Sequence, residues 1–198
     1  MAKVRIGDAA PDFCLSDWRG RSYSLHQYRG TPVVIYFYPK DNTPGCTIEA
    51  QEFTAVARAF ARLGVKVLGI SGGDERSKRR FCEAHGISIP LLSDTDHAVS
   101  KAYGAFGPKT FMGRKYRGIH RTTFVIDSAG RVQHVYNAVQ AKGHAREVLE
   151  LTRSLLKDKS AKGPLKGHHP TSLTGACDTR PKRRGRSGRI QAGRGLCT

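Results

Sequence analysis

Residues 32 to 38, Pro32-Val33-Val34-Ile35-Tyr36-Phe37-Tyr38, form an unbroken run of β-branched and aromatic side chains, the pattern of a strand buried on both faces. The run predicts a central strand. After Thr47 the period becomes helical: Ile48, Phe53, Val56, Ala57, Phe60 and Leu63 recur on one face, and Gly64 then stops the helix. A strand over 65–71, a helix near 74–85 and a short strand at 89–92 continue a βαβαβ series. Residues 121–127 and 131–136 flank the turn Ser128-Ala129-Gly130 and read as a hairpin, hence as antiparallel strands. A last helix, over about 142–156, would cover the sheet. With βαβ first and ββα last, the expected fold is α/β and thioredoxin-like: a mixed central sheet flanked by helices. Residues 12–17 and 23–24, on either side of Arg19-Gly20-Arg21, add an N-terminal β-hairpin extension.

Composition divides the chain. At 198 residues there is room for one core of about 150 residues with material left over. The net charge is +18, and from Lys157 onward 11 Lys and Arg stand against 2 Asp, a net of +9. Half of the excess lies at the end. We therefore expect a domain over 1–157 and a basic tail over 158–198, whose Gly, Pro, Ser, Lys and Arg cannot bury enough apolar surface to offset ordering entropy. Such a tail could hold nucleic acid by counterion release. It has no aromatic residue on which bases could stack, so a solvated extension is the expected reading.

No apolar run approaches the ~18 residues of a membrane span, and the first residues lack the apolar stretch of a secretory signal. A cytoplasmic protein is expected. Five cysteines, at 14, 46, 82, 177 and 197, form no CxxC and no zinc-type pairing, and the histidines do not fall at metal-ligand spacings. No metal or cofactor is expected. Cys14 alternates with Phe13 and Leu15 as a structural strand residue would, and Cys177 and Cys197 lie in the tail. Ser71-Gly72-Gly73-Asp74 has neither GxGxxG nor a following GK[ST], and reads as a strand-to-helix turn with an N-cap.

The chemistry points to Cys46. It falls where the apolar strand gives way to the helix, in Thr43-Pro44-Gly45-Cys46. Unpaired N–H groups and the positive end of the helix dipole favour a thiolate there. Pro44 suits a first helical turn, and Gly45 lets a substrate approach the backbone beside the sulfur. Thr43 can offer its hydroxyl to the thiolate or the substrate, or serve as the helix N-cap. A guanidinium nearby would hold the thiolate charged, and Arg121, opening a strand expected beside the central one, is the candidate. Glu49, almost a full turn beyond Cys46, could orient that Arg.

These residues resemble a known family. Pro39-x-x-x-Thr43-x-x-Cys46 followed by Glu49 looks like the peroxidatic motif of the peroxiredoxins, and Ala10-Pro11-Asp12-Phe13 with Leu15 resembles their opening. Phe37-Tyr38-Pro39-Lys40, Thr43-Pro44-Gly45-Cys46-Thr47 and the segment from Phe111-Met112-Gly113 to His120-Arg121 are similar to the bacterioferritin comigratory (Q-type) branch. The resemblance implies a thiol peroxidase in which Cys46 attacks hydrogen peroxide or an organic hydroperoxide and becomes a sulfenic acid. Pro39 would shield that acid, Thr43 would bind the peroxide, and Arg121 would stabilise thiolate and transition state. Many members of the branch carry a resolving cysteine five residues after the first, where this chain has Gln51. Cys82 resembles the distant resolving cysteine of another subgroup; an external thiol is the other possibility. The resemblance further implies thioredoxin or a similar dithiol protein as reductant, and a monomer. Cα atoms of a disulfide lie about 4.4–6.8 Å apart, so Cys82 would reach Cys46 through local unfolding. Residues 74–80, densely charged, are expected to bury little and to make that helix marginal.

Overall fold

The structure, a computed structural model, describes residues 4–161. Residues 162–198, with Cys177 and Cys197 and nearly all of the expected tail, lie outside them. The central strand is β3 (Val33–Phe37), hydrogen-bonded on one side to β4 (Lys66–Ser71) in parallel and on the other to β8 (Thr122–Ile126) antiparallel. With β5 (Leu91–Ser93) and β9 (Val132–Asn137) at the edges, the five-stranded sheet has the order β5-β4-β3-β8-β9. It is the expected mixed sheet. The N-terminal strand pair is β1 (Cys14–Ser16) with β2 (Ser22–Ser24), antiparallel.

Every residue of β3 is buried, and its side chains alternate between two apolar layers. Val34 and Tyr36 meet Ala50, Phe53 and Phe60 of α1 (Pro44–Arg62), Phe81 of α2 (Glu75–His85), and Ala145 and Val148 of α4 (His144–Ala161). On the other face Val33, Ile35 and Phe37 pack with Leu25 of a 3-10 turn (Leu25–Tyr28), Val99 of α3 (Ala98–Ala102) and Tyr103. Gly69 in β4 leaves the space that the Tyr36 ring fills: a Cβ there would stand 2.6 Å from that ring and from Leu91. No described helix is long and apolar enough to cross a membrane.

Three elements have no counterpart in the sequence pattern. The 3-10 turn and α3 are too short for a period to register. The third is a hairpin of β6 (Phe106–Phe111) with β7 (Arg114–Ile119), which forms a separate antiparallel pair. Its strands carry Gly, Pro and Lys instead of a β-branched run. Its turn places Met112 at φ 48° and Gly113 at φ 77°, positive at both positions as a tight hairpin of this hand requires. Without an Asn-Gly pair, that turn is hard to read from sequence.

Two expectations about helices change. α4 runs to Ala161, five residues past the expected end at 156 and into the segment assigned to the tail. α2 does not bury little: Lys78 is completely buried, alongside Phe81 and Cys82. Positions 78, 81, 82 and 85 share one helical face, so a charged residue lies within the apolar stripe.

Gly69→Ala should lower the unfolding free energy by about 1–3 kcal/mol, the cost of overpacking a filled core, measurable by urea denaturation followed by far-UV circular dichroism. Gly64→Ala, in open space at φ 70°, is the control, with backbone strain but no clash.

Candidate functional site

β3 delivers the chain at Phe37 to the loop Tyr38-Pro39-Lys40-Asp41-Asn42-Thr43, which feeds α1. Asn42, at φ 56°, makes the reversal in a left-handed conformation that Asn tolerates better than most residues. Thr43 is the N-cap in extended conformation, and its carbonyl accepts the first helical bond from Thr47. The N–H groups of Gly45 and Cys46 thus have no partner within the helix. Thr43 does not cap with its side chain; the hydroxyl donates to the Lys40 carbonyl at 3.1 Å. Pro39 is half-buried in the same loop.

Cys46 is 1% exposed. Arg121 Nη2 donates to its Sγ at 3.3 Å, and Nη1 of the same guanidinium forms an ion pair with Glu49. Strand register explains the meeting. Phe37 at the end of β3 pairs with Thr122 at the start of β8, so Arg121 flanks the loop that begins after Phe37. Glu49 lies three residues beyond Cys46 on α1 and presents its carboxylate to the same side. Gly45 completes the fit: a Cβ there would stand 3.3 Å from Arg121 Nη2. The glycine makes room for the arginine as well as for any substrate.

Burial pushes Glu49 up to about 7, against the pull of Arg121. Desolvation acts to lower Arg121, but Glu49 and Cys46 outweigh it and the guanidinium is held above its ordinary value. Beyond Arg121 opens a cleft of about 440 Å³ lined by Lys109, His120, Asn137 and Val139. The Lys109 ammonium donates to the Ile119 carbonyl at 3.0 Å, and burial, helped by Arg121, pulls its pKa down.

Cys82 lies in the same apolar layer as Cys46, both as free thiols. Burial pushes the Cys82 thiol up, with Trp18 and the Lys78 charge acting the other way. Gln51 is exposed on α1. Cys14 lies on the exposed edge of β1, away from this layer.

Two residues that the sequence reading did not single out connect these parts. Asp41, in the loop, accepts from Tyr38 at 2.7 Å, Ser71 at 3.2 Å and Ser77 at 2.7 Å, and pairs with Lys78 at 3.3 Å. The available clue was Lys78 at helical spacing from Phe81 and Cys82. Among the described residues, no group of three or more His, Cys, Asp or Glu could hold a metal ion.

Residues 6–135 match the AhpC/TSA family. The chain is 40% identical over 150 residues to a putative peroxiredoxin Bcp of Helicobacter pylori, covering 76% of this chain and 99% of that one. It is also 40% identical over 149 residues to peroxiredoxin Bcp of Escherichia coli, covering 75% and 96%. Among solved structures, it is similar to the Xanthomonas campestris bacterioferritin comigratory protein, whose trapped intermediate and ligand complexes bear on its alkyl peroxide reduction activity. The TM-score is 0.72 at 36% identity, over 78% of this chain and 97% of that one. Peroxiredoxin Q of the same organism has been solved with serine in place of either of two cysteines, which stand 36 residues apart. Those two structures have TM-scores of 0.71 at 35% and 36% identity, over 77% of this chain and 97% of theirs.

Because Glu49 binds its proton more tightly folded, at about 7, than unfolded at the ordinary 4.5, its contribution to stability is greatest below pH 4.5. It is lost as pH rises towards 7. Relative to Glu49→Gln, the wild type should lose up to about 3 kcal/mol between pH 4.5 and 7.5. Urea unfolding at stepped pH checks this; a flat difference would show that the Arg121 ion pair keeps the carboxylate ionised throughout.

Proposed function

The chain belongs to the AhpC/TSA family, as a peroxidase of the peroxiredoxin type acting on peroxides with a thiol reductant, and from that premise we propose that Cys46 is its peroxidatic cysteine. The observation that carries this reading is the single guanidinium bound to both the Cys46 sulfur and the Glu49 carboxylate at the start of a helix. Arg121 attracts the thiolate, and Glu49 fixes the direction of the guanidinium. The Cys46 thiolate attacks one peroxide oxygen, the O–O bond breaks, and the other oxygen leaves with a proton as alcohol or water. Sulfur is oxidised by two electrons to the sulfenic acid, and the peroxide is reduced by two. Arg121 and the free N–H groups of the first turn oppose the charge that develops on the oxygens. Thr43 serves the peroxide when its hydroxyl turns from the Lys40 carbonyl, and Pro39 shields the sulfenic acid from water.

Cys82 is the resolving cysteine in this reading. Its thiolate attacks the Cys46 sulfur, the S–O bond breaks, and the hydroxyl leaves as water. The separation of 36 residues between Cys46 and Cys82 (82 − 46) equals that between the two cysteines replaced in the Xanthomonas campestris relative. Burial raises the Cys82 thiol pKa while α2 is folded, so release of the helix both moves the sulfur and removes the burial that disfavours its thiolate. Thioredoxin or a similar dithiol protein then reduces the disulfide by exchange.

Cys46→Ser should abolish peroxide consumption, and Arg121→Met should slow the reaction with peroxide by about 10²–10³-fold, the usual loss for one preorganised donor. Cys82→Ser should form the sulfenic acid at normal speed yet lose thioredoxin-dependent turnover. Stopped-flow and coupled assays measure all three; normal turnover in Cys46→Ser would sink the reading.

A further inference from the structure

The loop that carries Pro39 and Thr43 and the helix that carries Cys82 are joined by a buried polar cluster that the peroxidase chemistry does not itself use. Asp41 is its centre. Its carboxylate, in a residue 5% exposed, takes hydroxyl bonds from Tyr38 just after the central strand, Ser71 at the end of β4 and Ser77 on α2. The Lys78 ammonium, on a side chain with no exposure, lies 3.3 Å from Oδ1 and 3.5 Å from Oδ2, and donates to Ser71 Oγ at 2.6 Å. It also stands 5.2 Å from the centroid of the Tyr38 ring. Gly73, in the turn before α2, is the residue past which the carboxylate reaches: a Cβ there would overlap Asp41 Oδ2.

A buried ion pair with satisfied hydrogen bonds adds little net stability over an apolar substitute, but removing one partner strands the other charge and is costly. Such a pair makes a contact that is either wholly made or wholly broken. Two of the groups on the carboxylate, Ser77 and Lys78, belong to the first turn of α2. Cys82 follows Lys78 by four residues on the same face.

We propose that the Asp41–Lys78 pair is a latch that holds the Cys82 helix folded against the loop preceding Cys46, and so sets the lifetime of the sulfenic acid. Asp41 and Lys78 are positioning residues: neither touches the reacting atoms. The latch rests on the assignment of Cys82 as resolving cysteine. While it is closed, Cys82 is withheld; the loop itself keeps the Tyr38 and Ser71 hydroxyl bonds to Asp41 whether or not Lys78 is engaged. When the latch opens, α2 unwinds and the disulfide forms. A longer-lived sulfenic acid is open to a second peroxide, which transfers an oxygen to the sulfur, leaves as alcohol or water, and gives the sulfinic acid.

Trp18, the single tryptophan of the chain, packs against the apolar layer that holds Cys82, with the Arg79 guanidinium of α2 5.8 Å from its ring centroid, and reports release of α2 by its fluorescence. The full-length protein, reduced and mixed with hydrogen peroxide, should show a peroxide-dependent phase for sulfenic acid formation and a peroxide-independent phase for the disulfide. Lys78→Met removes the ion pair but leaves three hydroxyl bonds on Asp41. Ser77→Ala removes one hydroxyl without stranding a charge, and serves if Lys78→Met does not fold. The peroxide-independent phase should quicken about tenfold in Lys78→Met and about threefold in Ser77→Ala, as opening becomes easier. The peroxide-dependent phase should stay within about twofold, and both variants should resist inactivation by excess peroxide, an effect that general loosening of the fold would not produce.

If the second phase is unchanged or slower in both variants while the 46–82 disulfide forms, the latch is wrong. If the wild type forms no such disulfide by mass spectrometry, it is the Cys82 assignment that fails. Amide exchange of residues 75–85 then judges the latch: selective loss of protection in either variant supports it, and unchanged protection overturns it.

Discussion

The antiparallel pairing of β3 with β8 is the constraint on which the site depends. It brings Arg121 to a sulfur 75 positions away in the sequence, and it does so through one register, Phe37 opposite Thr122. A slip of one residue would turn every side chain of β8 to the other face of the sheet, exchanging Phe124 and Val125 between the two apolar layers. The hydrophobic cost of that exchange protects the chemistry. The register is held by core packing, and the guanidinium inherits its position from it.

The site is also a problem in buried charge. Arg121 and Glu49 are withdrawn from most of the solvent, and Asp41 and Lys78 from nearly all of it. Isolated ions in such surroundings would cost several kcal/mol each. Each pair therefore persists only with its partner, and each spans two segments distant in sequence: α1 with the start of β8, and the β3–α1 loop with α2. The segment around Cys46 is thus fixed from both sides, by Arg121 on the cysteine and by the hydroxyls gathered on Asp41 before it. This geometry also explains the glycines. A Cβ at Gly73 would overlap the Asp41 carboxylate, and one at Gly45 would press on the Arg121 guanidinium at 3.3 Å.

Legibility in the sequence followed the range of the interactions involved. The run Val33 to Phe37 and the periodic face of α1 are repeated local patterns, and both elements formed within a few residues of their expected bounds. The β6–β7 hairpin has no such repetition, and its turn depends on a positive φ at a methionine. Residues 74–80 misled for a related reason. Charge density there suggested a solvated helix, but local composition cannot tell that one lysine of the set has a carboxylate waiting across the structure. Thr43 was read for its hydroxyl, which is engaged by a backbone carbonyl of its own loop.

The sequence by itself determined the layered α/β architecture, the placement of Cys46 in a first helical turn, and the candidates Arg121 and Glu49. Those follow from periodicity, helix-end chemistry and a short motif, all of which act over a few residues or along one element. Only the tertiary structure decided that one guanidinium touches both Cys46 and Glu49, and that Lys78 lies buried on Asp41. It also decided that Cys82 shares a buried apolar layer with Cys46. The physical reason is that a charge is stable in a core only beside a specific partner, and strand register and helix packing bring that partner from elsewhere in the chain.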